Sequence, residues 1–408
     1  MQIPVRKIMK GYPRQFWLVV TVMTLSYLFH SMLWPFLIIY ASQKLNLTLT
    51  AVTGLLTLHS LVGLVTTFLG GAIADRFGRK WVMALALFLC GISWYLFQFA
   101  DHFSIFALLM AFNGATTPLY RLAADAMMAD VVPSEKRIDG YSILRLGNNL
   151  GVALGPAVGG FLSAVSYDIS FTTAGLGIFA CGILVTLFSI ETIPSQKEVQ
   201  LGTEQSGGYG RILHDSRFLG LIGSYSLNRI CSSTLWMLLA VYAKQNYGIS
   251  ESLYGFIPTT NAVMVILFQM MVTSRVKHQR PEKSMIIGAL FYAVAVFSVA
   301  FGRGFWAFWL CMVVATIGEM ILVPTSTTYA SLLAPEDMRG RYMSIYTLSG
   351  GLGPGVGPLI GGVMNDNFGP RTIWYTGGAI GALSALAFLL NSRRLSKSPV
   401  REAPGGGV

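Results

Sequence analysis

Twelve apolar runs, each long enough to cross about 30 Å of hydrocarbon, leave this chain few folds to adopt. They lie at 16–40, 51–74, 81–100, 104–130, 138–165, 171–190, 217–243, 252–273, 283–302, 305–333, 340–363 and 371–391. Their length and hydropathy predict an all-α membrane protein with 12 transmembrane helices. Composition agrees, because 53% of the 408 residues are hydrophobic and only 12% are charged, against about 25% charged in an ordinary soluble domain. With so few charges, lipid rather than water has to cover much of the surface. The basic segment Met1–Arg14 precedes a run too long for a signal-peptide core, so Phe16–Tyr40 is read as a retained first span.

The net charge of +11 reads as membrane orientation rather than as affinity for nucleic acid. With the amino terminus in the cytoplasm, 22 Lys and Arg residues fall on the cytoplasmic side, among them Arg6, Lys7, Lys10, Arg14, Arg275, Lys277 and Arg280. Lys44, Lys244, Arg303 and Arg371 alone fall outside, and Arg121, Arg145 and Arg229 lie within spans. This asymmetry predicts a multi-pass protein of the cell (plasma or inner) membrane with both termini cytoplasmic. The cysteines Cys90, Cys181, Cys231 and Cys311 all fall in spans without a Cys-x-x-Cys pair, and with five histidines no metal-ligand spacing arises. They read as small core residues. No Gly-x4-Gly-Lys loop occurs, so ATP is not expected to be the direct energy source; no cofactor is expected.

The longest polar interruption, Glu191–Ser216, is rich in Gly, Ser and Gln and reads as a cytoplasmic linker. It divides the chain into an N-terminal six-helix bundle (1–190), the linker (191–216), a C-terminal six-helix bundle (217–391) and a cytoplasmic tail (392–408). The halves also repeat. Shifting the chain by 202 residues lays Pro133–Gly160 on Pro335–Gly362 with eleven identities in 28 positions. Pro133, Arg137, Ser142, Leu150, Gly151, Gly155, Pro156, Gly159 and Gly160 are among them. Parallel repeats predict two bundles with pseudo-two-fold symmetry about the membrane normal and a central site at their interface.

The loop after the second run reads Gly71-Ala-Ile-Ala-Asp75-Arg76-Phe-Gly78-Arg79-Lys80. Gly71 permits close helix approach, and Gly78 supplies a tight turn. Asp75 suits a helix N-terminus, while Arg76, Arg79 and Lys80 suit acids across the same surface, with Asp130 and Asp139 as candidate partners. Such a cluster reads as a conformational latch. The loop resembles the signature loop of the major facilitator superfamily, Gly-x-Leu-Ala-Asp-Arg-x-Gly-Arg-Lys, with Ile73 replacing Leu. The second copy, Ser274–Arg280, keeps the charge but lacks the Gly and Asp.

In the fifth run Gly151, Gly155, Pro156, Gly159 and Gly160 make a flat, bent face for close packing. This stretch resembles the antiporter signature of the superfamily's drug exporters, Gly-x8-Gly-x3-Gly-Pro-x2-Gly-Gly, with Ser142 in place of its first Gly. The same register recurs as Gly353, Gly357-Pro358 and Gly361-Gly362, so shared ancestry of the repeats accounts for part of it. The fourth run departs from that branch, with Met110 where an Arg is usual. Asn113, Thr117, Arg121 and Asp125 instead recur every fourth residue.

Charges at membrane depth are functional candidates. Arg121 and Asp125 suit an i,i+4 pair. Asp125 either couples protons or serves the latch, and Arg145 shapes the cavity. Glu319, with no basic residue within four positions, is a carboxyl suited to exchanging a proton, to attracting a cation or to pairing with Arg121, Arg145 or Arg229. Candidate cavity residues are Tyr27, His30 and Trp34 on one face of the first run, Asn113, Asn148 and Asn149, and Asn228, Arg229 and Trp236 on the seventh.

The resemblance implies a monomeric secondary transporter exchanging protons for a small-molecule substrate by alternating access, with the proton gradient as energy source. Lipophilic or cationic drug-like compounds moving outward are the expected cargo. Exporters or symporters of anionic metabolites, sugars or lipid-linked substrates share the fold, and the embedded arginines suit an anion. An enzyme would require a paired acid or nucleophile within the spans, and a receptor would more often carry a soluble domain; neither feature occurs.

Overall fold

Proline and glycine decide where the predicted runs break. The protein's structure, a computed structural model, describes residues 11–133, 136–192, 209–335 and 338–396. The first span is two helices, α1 (Arg14–Leu33) and α2 (Leu37–Leu45), parted at Pro35, whose nitrogen has no proton for the ladder. The N-terminal half continues with α3 (Leu49–Phe77), α4 (Arg79–Leu96), α5 (Phe103–Val131), α6 (Arg137–Val165) and α7 (Tyr167–Phe188). A short α8 (Tyr209–Leu213) leads into α9 (Ser216–Tyr247). The eighth span comprises α10 (Glu251–Tyr254) and α11 (Phe256–Val276), followed by α12 (Pro281–Val299), α13 (Gly304–Leu333), α14 (Arg339–Phe368) and α15 (Thr372–Ser396).

Each predicted run thus falls on a helix or helix pair, with three differences at the ends. α2 carries the first span to Leu45, α15 extends into the expected tail, and α8 occupies part of the expected linker. Of that linker, residues 193–208 lie outside the described residues. Side-chain caps fix several starts. Thr48 accepts from the Ala51 N–H, Asp215 from the Arg217 and Phe218 N–H groups, and Ser250 from the Leu253 N–H. Gly78 separates α3 from α4 at φ 96°, a conformation that disfavours any side chain, as the turn reading required.

Among the described residues, nine helices are long and apolar enough to cross a membrane by length and composition alone. The fifth, seventh and eleventh spans, α6, α9 and α14, have the requisite length but are diluted by Gly, Ser, Asn and Arg. They pack against α1, α15 and α3, where small residues admit close contact. The outer surface is apolar instead, and Phe68, Leu108, Val165, Met270 and Trp306 are all exposed. In water so much exposed apolar surface would aggregate, and in lipid it is solvated.

The repeat seen in sequence is also a repeat of contacts. A Cβ on Gly155 would crowd the Leu28 carbonyl, and one on Gly357 the Ile230 carbonyl; 28 + 202 is 230 and 155 + 202 is 357. A Cβ on Gly160 would strike the Glu251 carbonyl, and one on Gly362 the Leu49 carbonyl, again 202 apart. Between the halves, Thr57 Oγ1 donates to the Gly355 carbonyl at 2.6 Å and Thr259 Oγ1 to the Ala153 carbonyl at 2.8 Å. Thr57 + 202 is Thr259 and Ala153 + 202 is Gly355, so the two bonds are related by the pseudo-two-fold axis. Each acceptor lies three residues before a proline, Pro156 or Pro358, and next to the carbonyl that the proline, having no N–H, leaves without its helical bond.

We call the face at which the described chain begins and ends the terminal face. The halves meet tightly toward the other face. There Asp366 accepts from the Thr50 N–H at 2.7 Å and the Leu49 N–H at 3.3 Å, capping α3 across the interface. Tyr167 donates to Glu251 at 2.7 Å, and Glu251 also pairs with Lys244 at 2.9 Å. Gln245 reaches Ser42 at 3.3 Å.

The α6–α1 contact leaves no room for side chains, since a Cβ on Gly151 would fall 2.8 Å from the Leu28 nitrogen. Gly151→Val is therefore expected to lower stability by about 1–3 kcal/mol through overpacking. Gly54→Ala, which meets nothing within 4 Å, should be neutral or mildly stabilising. Thermal unfolding of both variants in detergent micelles checks the contrast.

Candidate functional site

Tyr27, His30 and Trp34 recur along one side of α1, and the fold turns that side toward α3 and α5. The Trp34 ring lies between two histidines, stacked on His30 at 5.2 Å between centroids and tilted against His59 at 5.0 Å. His30 also meets Trp94 edge-on at 5.5 Å. From α5 the Arg121 guanidinium rests over the Tyr27 ring at 4.5 Å and lies 5.9 Å from the Tyr120 ring, a cation–π arrangement. Tyr27, His30, Trp34, His59 and Arg121 line a cavity of about 470 Å³ between the halves, whose far wall includes Trp236, Met237, Pro258, Leu348 and Pro354. Trp34 and Trp236 stand 202 residues apart and face the cavity from opposite halves. No Asp or Glu belongs to its lining.

Several polar atoms of this wall have no protein partner. Arg121 Nε, His30 Nδ1 and His59 Nε2 are all buried without a hydrogen bond. Buried polar atoms are usually paired, so a cluster of three around one cavity marks a place for a ligand or for water. The volume suits a drug-sized ligand, which pockets of 300–1,000 Å³ commonly hold.

Other expected site residues fall elsewhere. Arg121 does not pair with Asp125, for among the described residues no ion pair joins them, and Asp125 is exposed with only its carbonyl bonded, to the Tyr141 hydroxyl at 3.2 Å. Asn113 is buried inside the N-terminal half, donating to Ser93 at 3.1 Å and accepting from Thr117 at 3.3 Å. Asn148, Asn149, Asn228 and Arg229 also lie outside the cavity lining. Asn228 is buried and Arg229 Nε donates to the Gly350 carbonyl at 3.5 Å. Arg145 is exposed and makes no ion pair among the described residues.

Glu319 is half-buried and does not belong to the cavity lining. None of the three arginines pairs with it; Asn261 donates to its carboxylate at 2.9 Å and to Thr316 at 2.9 Å. Asn261 and Glu319 occupy the positions that the 202-residue shift assigns to His59 and Thr117, two cavity-lining residues of the other half. Sequence reasoning missed Asn261, although an amide inside an apolar run was a legible signal.

At the terminal face the signature loop is bound within its own half. Arg79 forms an ion pair with Asp130 and a looser one with Asp75 at 3.5 Å, and donates to the Ala126 carbonyl at 3.4 Å. Asp130 is thus the partner, and among the described residues no ion pair reaches Asp139. The α4 N-terminus is capped by Glu191, which accepts from the Arg79 and Lys80 N–H groups at 2.9 and 3.2 Å. Asp75 does not fill that place, and Glu191, inside the expected linker, gave no sequence signal. A Cβ on Gly71 would meet nothing within 4 Å, so no helix packs closely there. Arg76 lies beside Phe77, and Lys80 over Trp81. The antiporter-type glycines act structurally: Gly151, Gly155 and Gly159 receive α1, while Pro156 and Gly160 receive α10 and the following Gly255 of the other half.

Two pseudo-symmetric bundles of six spans around a central cavity define a membrane transporter. The family model of the Major Facilitator Superfamily matches residues 19–227 and 221–407, and the chain belongs to that family. It is 27% identical over 345 residues to the quinolone resistance protein NorA of Staphylococcus aureus, covering 81% of this chain and 85% of that one. It is 26% identical over 362 residues to a Na(+), Li(+), K(+)/H(+) antiporter of Planococcus maritimus, covering 80% and 84%. Among solved structures, a bacterial homologue of the human lysosomal transporter Spinster, in an inward-facing and unoccupied conformation, superposes with a TM-score of 0.80 at 14% identity. That match covers 99% of this chain and 100% of the other.

The Arg79–Asp130 pair is largely shielded, with side chains 11% and 24% exposed. Asp130→Asn leaves Arg79 with only the looser Asp75 contact and the Ala126 carbonyl and should cost about 1.5–3 kcal/mol. Asp75→Asn, at a carboxylate 68% exposed, should change stability by less than about 1 kcal/mol. Unfolding midpoints of the two variants test that ranking.

Proposed function

We propose that the protein is a proton-driven antiporter that exports lipophilic, aromatic small molecules by alternating access. The single observation that supports this most is the 470 Å³ cavity at the bundle interface, walled by Trp34, Trp236, Tyr27 and Met237. Such a wall accepts apolar bodies of varied shape and asks little of their polar groups. The resemblance to a quinolone resistance protein and to a cation/proton antiporter agrees with exchange as the mode of transport.

In this reading the far-face contacts are the closed gate. The Thr57 and Thr259 bonds, the Asp366 cap of α3 and the Tyr167–Glu251 bond break when the halves rock and the cavity opens on that side. The excess of Lys and Arg in terminal-face loops supports a cytoplasmic terminal face. Glu319 is the proposed proton carrier. Its carboxylate has an amide rather than a cation as partner, so a proton can replace the Asn261 bond without leaving a buried charge behind. Proton and substrate need only favour opposite states of the bundle for the gradient to drive export. Asp125, exposed and away from the cavity, is the weaker choice for that role.

Flux of ethidium and of a fluorescent quinolone into proteoliposomes under an imposed pH gradient tests the reading. Gradient-driven movement of either compound is expected in the wild type, with a drop on the order of tenfold or more in Glu319→Gln, as for loss of a general acid–base group. Movement of neither compound overturns the export reading. Full gradient-driven flux in Glu319→Gln moves the coupling role to another residue.

A further inference from the structure

The charge of the cavity wall constrains the cargo more sharply than its size does. Arg121 is a permanent cation at membrane depth, where an uncompensated charge is costly. The Tyr27 ring beneath it is only a partial counterpart, and Nε has no partner. Among the described residues no carboxylate stands within ion-pairing distance of Arg121. Asp125 is exposed one turn further along α5, and Glu319 lies outside the lining, held by Asn261. The two other unpartnered atoms of the wall, His30 Nδ1 and His59 Nε2, belong to rings on either side of Trp34.

A cationic ligand entering this cavity would meet a like charge and no acid. An acidic one would meet a guanidinium, whose fork of donors fits an oxyanion in two-point contact, and two imidazoles that can each present an N–H. Resting on the transport reading above, we infer that the cavity is a subsite for lipophilic acids. A carboxylate docks on Arg121 with His30 and His59 as further donors, and the aromatic body lies between Trp34 and Trp236. This places the substrate's charge in the N-terminal half, across the interface from Glu319. Substrate and proton then occupy separate groups and need not compete for one carboxylate.

Binding of 2-naphthoate, 2-naphthamide and 2-naphthylmethylammonium to the purified full-length protein in detergent, measured by calorimetry at neutral pH, decides the matter. The three share a ring system and differ in charge. Wild type is expected to bind naphthoate about tenfold or more tightly than naphthamide, with the ammonium compound weakest. Arg121→Gln should bring naphthoate to within about twofold of naphthamide, and Arg121→Lys should restore part of the preference. Equal wild-type affinities for naphthoate and naphthamide, or a preference that survives Arg121→Gln, overturn the proposal. Should Arg121→Gln fail to fold, the wild-type order alone is decisive. Binding of none of the three by protein that still drives dye flux in proteoliposomes overturns the acid subsite and leaves the transport reading standing. Charge-selective binding without any gradient-driven flux does the reverse.

Discussion

Backbone-to-backbone contact at the glycines of α6 and α14 is the constraint on which the rest of the architecture depends. In lipid the hydrophobic effect gives helices little reason to associate, so close packing and hydrogen bonds have to do it. Gly151, Gly155 and Gly159 let α6 rest directly on α1, and Gly353 and Gly357 do the same for α14 on α9. Those contacts fix where α1 and α9 stand, and α1 carries Tyr27, His30 and Trp34 to the cavity. The opposite flank of each Gly-rich helix, at Gly160 and Gly362, meets the start of the second span of the other half. One helix in each bundle therefore builds its own half and touches its twin.

Much of this was legible in the sequence because the bilayer simplifies the problem. Apolar runs of the right length report helices directly, and each of the twelve corresponds to a helix or a helix pair. The Gly-Pro-Gly-Gly register at Gly155–Gly160 and Gly357–Gly362 announced both the repeat and the packing. The ends were harder to read. Chain beyond the hydrocarbon obeys capping and turn chemistry rather than hydropathy, so α2 ran past its predicted end and α8 arose inside the predicted linker.

The site was legible by element and less so by side chain. Spacing along α1 grouped Tyr27, His30 and Trp34 correctly, because steps of three and four residues share a face whatever surrounds them. It could not say which way α5 turns in the assembled bundle. Arg121 faces the cavity while Asn113, two turns earlier, is bonded to Ser93 inside the half. An i,i+4 pairing of Arg121 with Asp125 was reasonable on helix geometry alone, yet the guanidinium rests over the Tyr27 ring of a neighbouring helix instead. Glu191 capping α4 and Asn261 holding Glu319 are contacts between distant parts of the chain, and no local pattern encodes them.

The related bonds Thr57–Gly355 and Thr259–Ala153 stand on opposite sides of the pseudo-two-fold axis. A rocking motion perpendicular to that axis loads both alike, so neither serves as a fixed pivot for the other. If one gave way alone, the seal would open along a single flank, and a narrow slot of that kind passes water and protons before it passes anything the size of the cargo. Under the proposed exchange, duplication of the half-chain would do more than double the helices: two fastenings of the same chemistry would let the barrier release as a unit and guard a gradient against a slow leak.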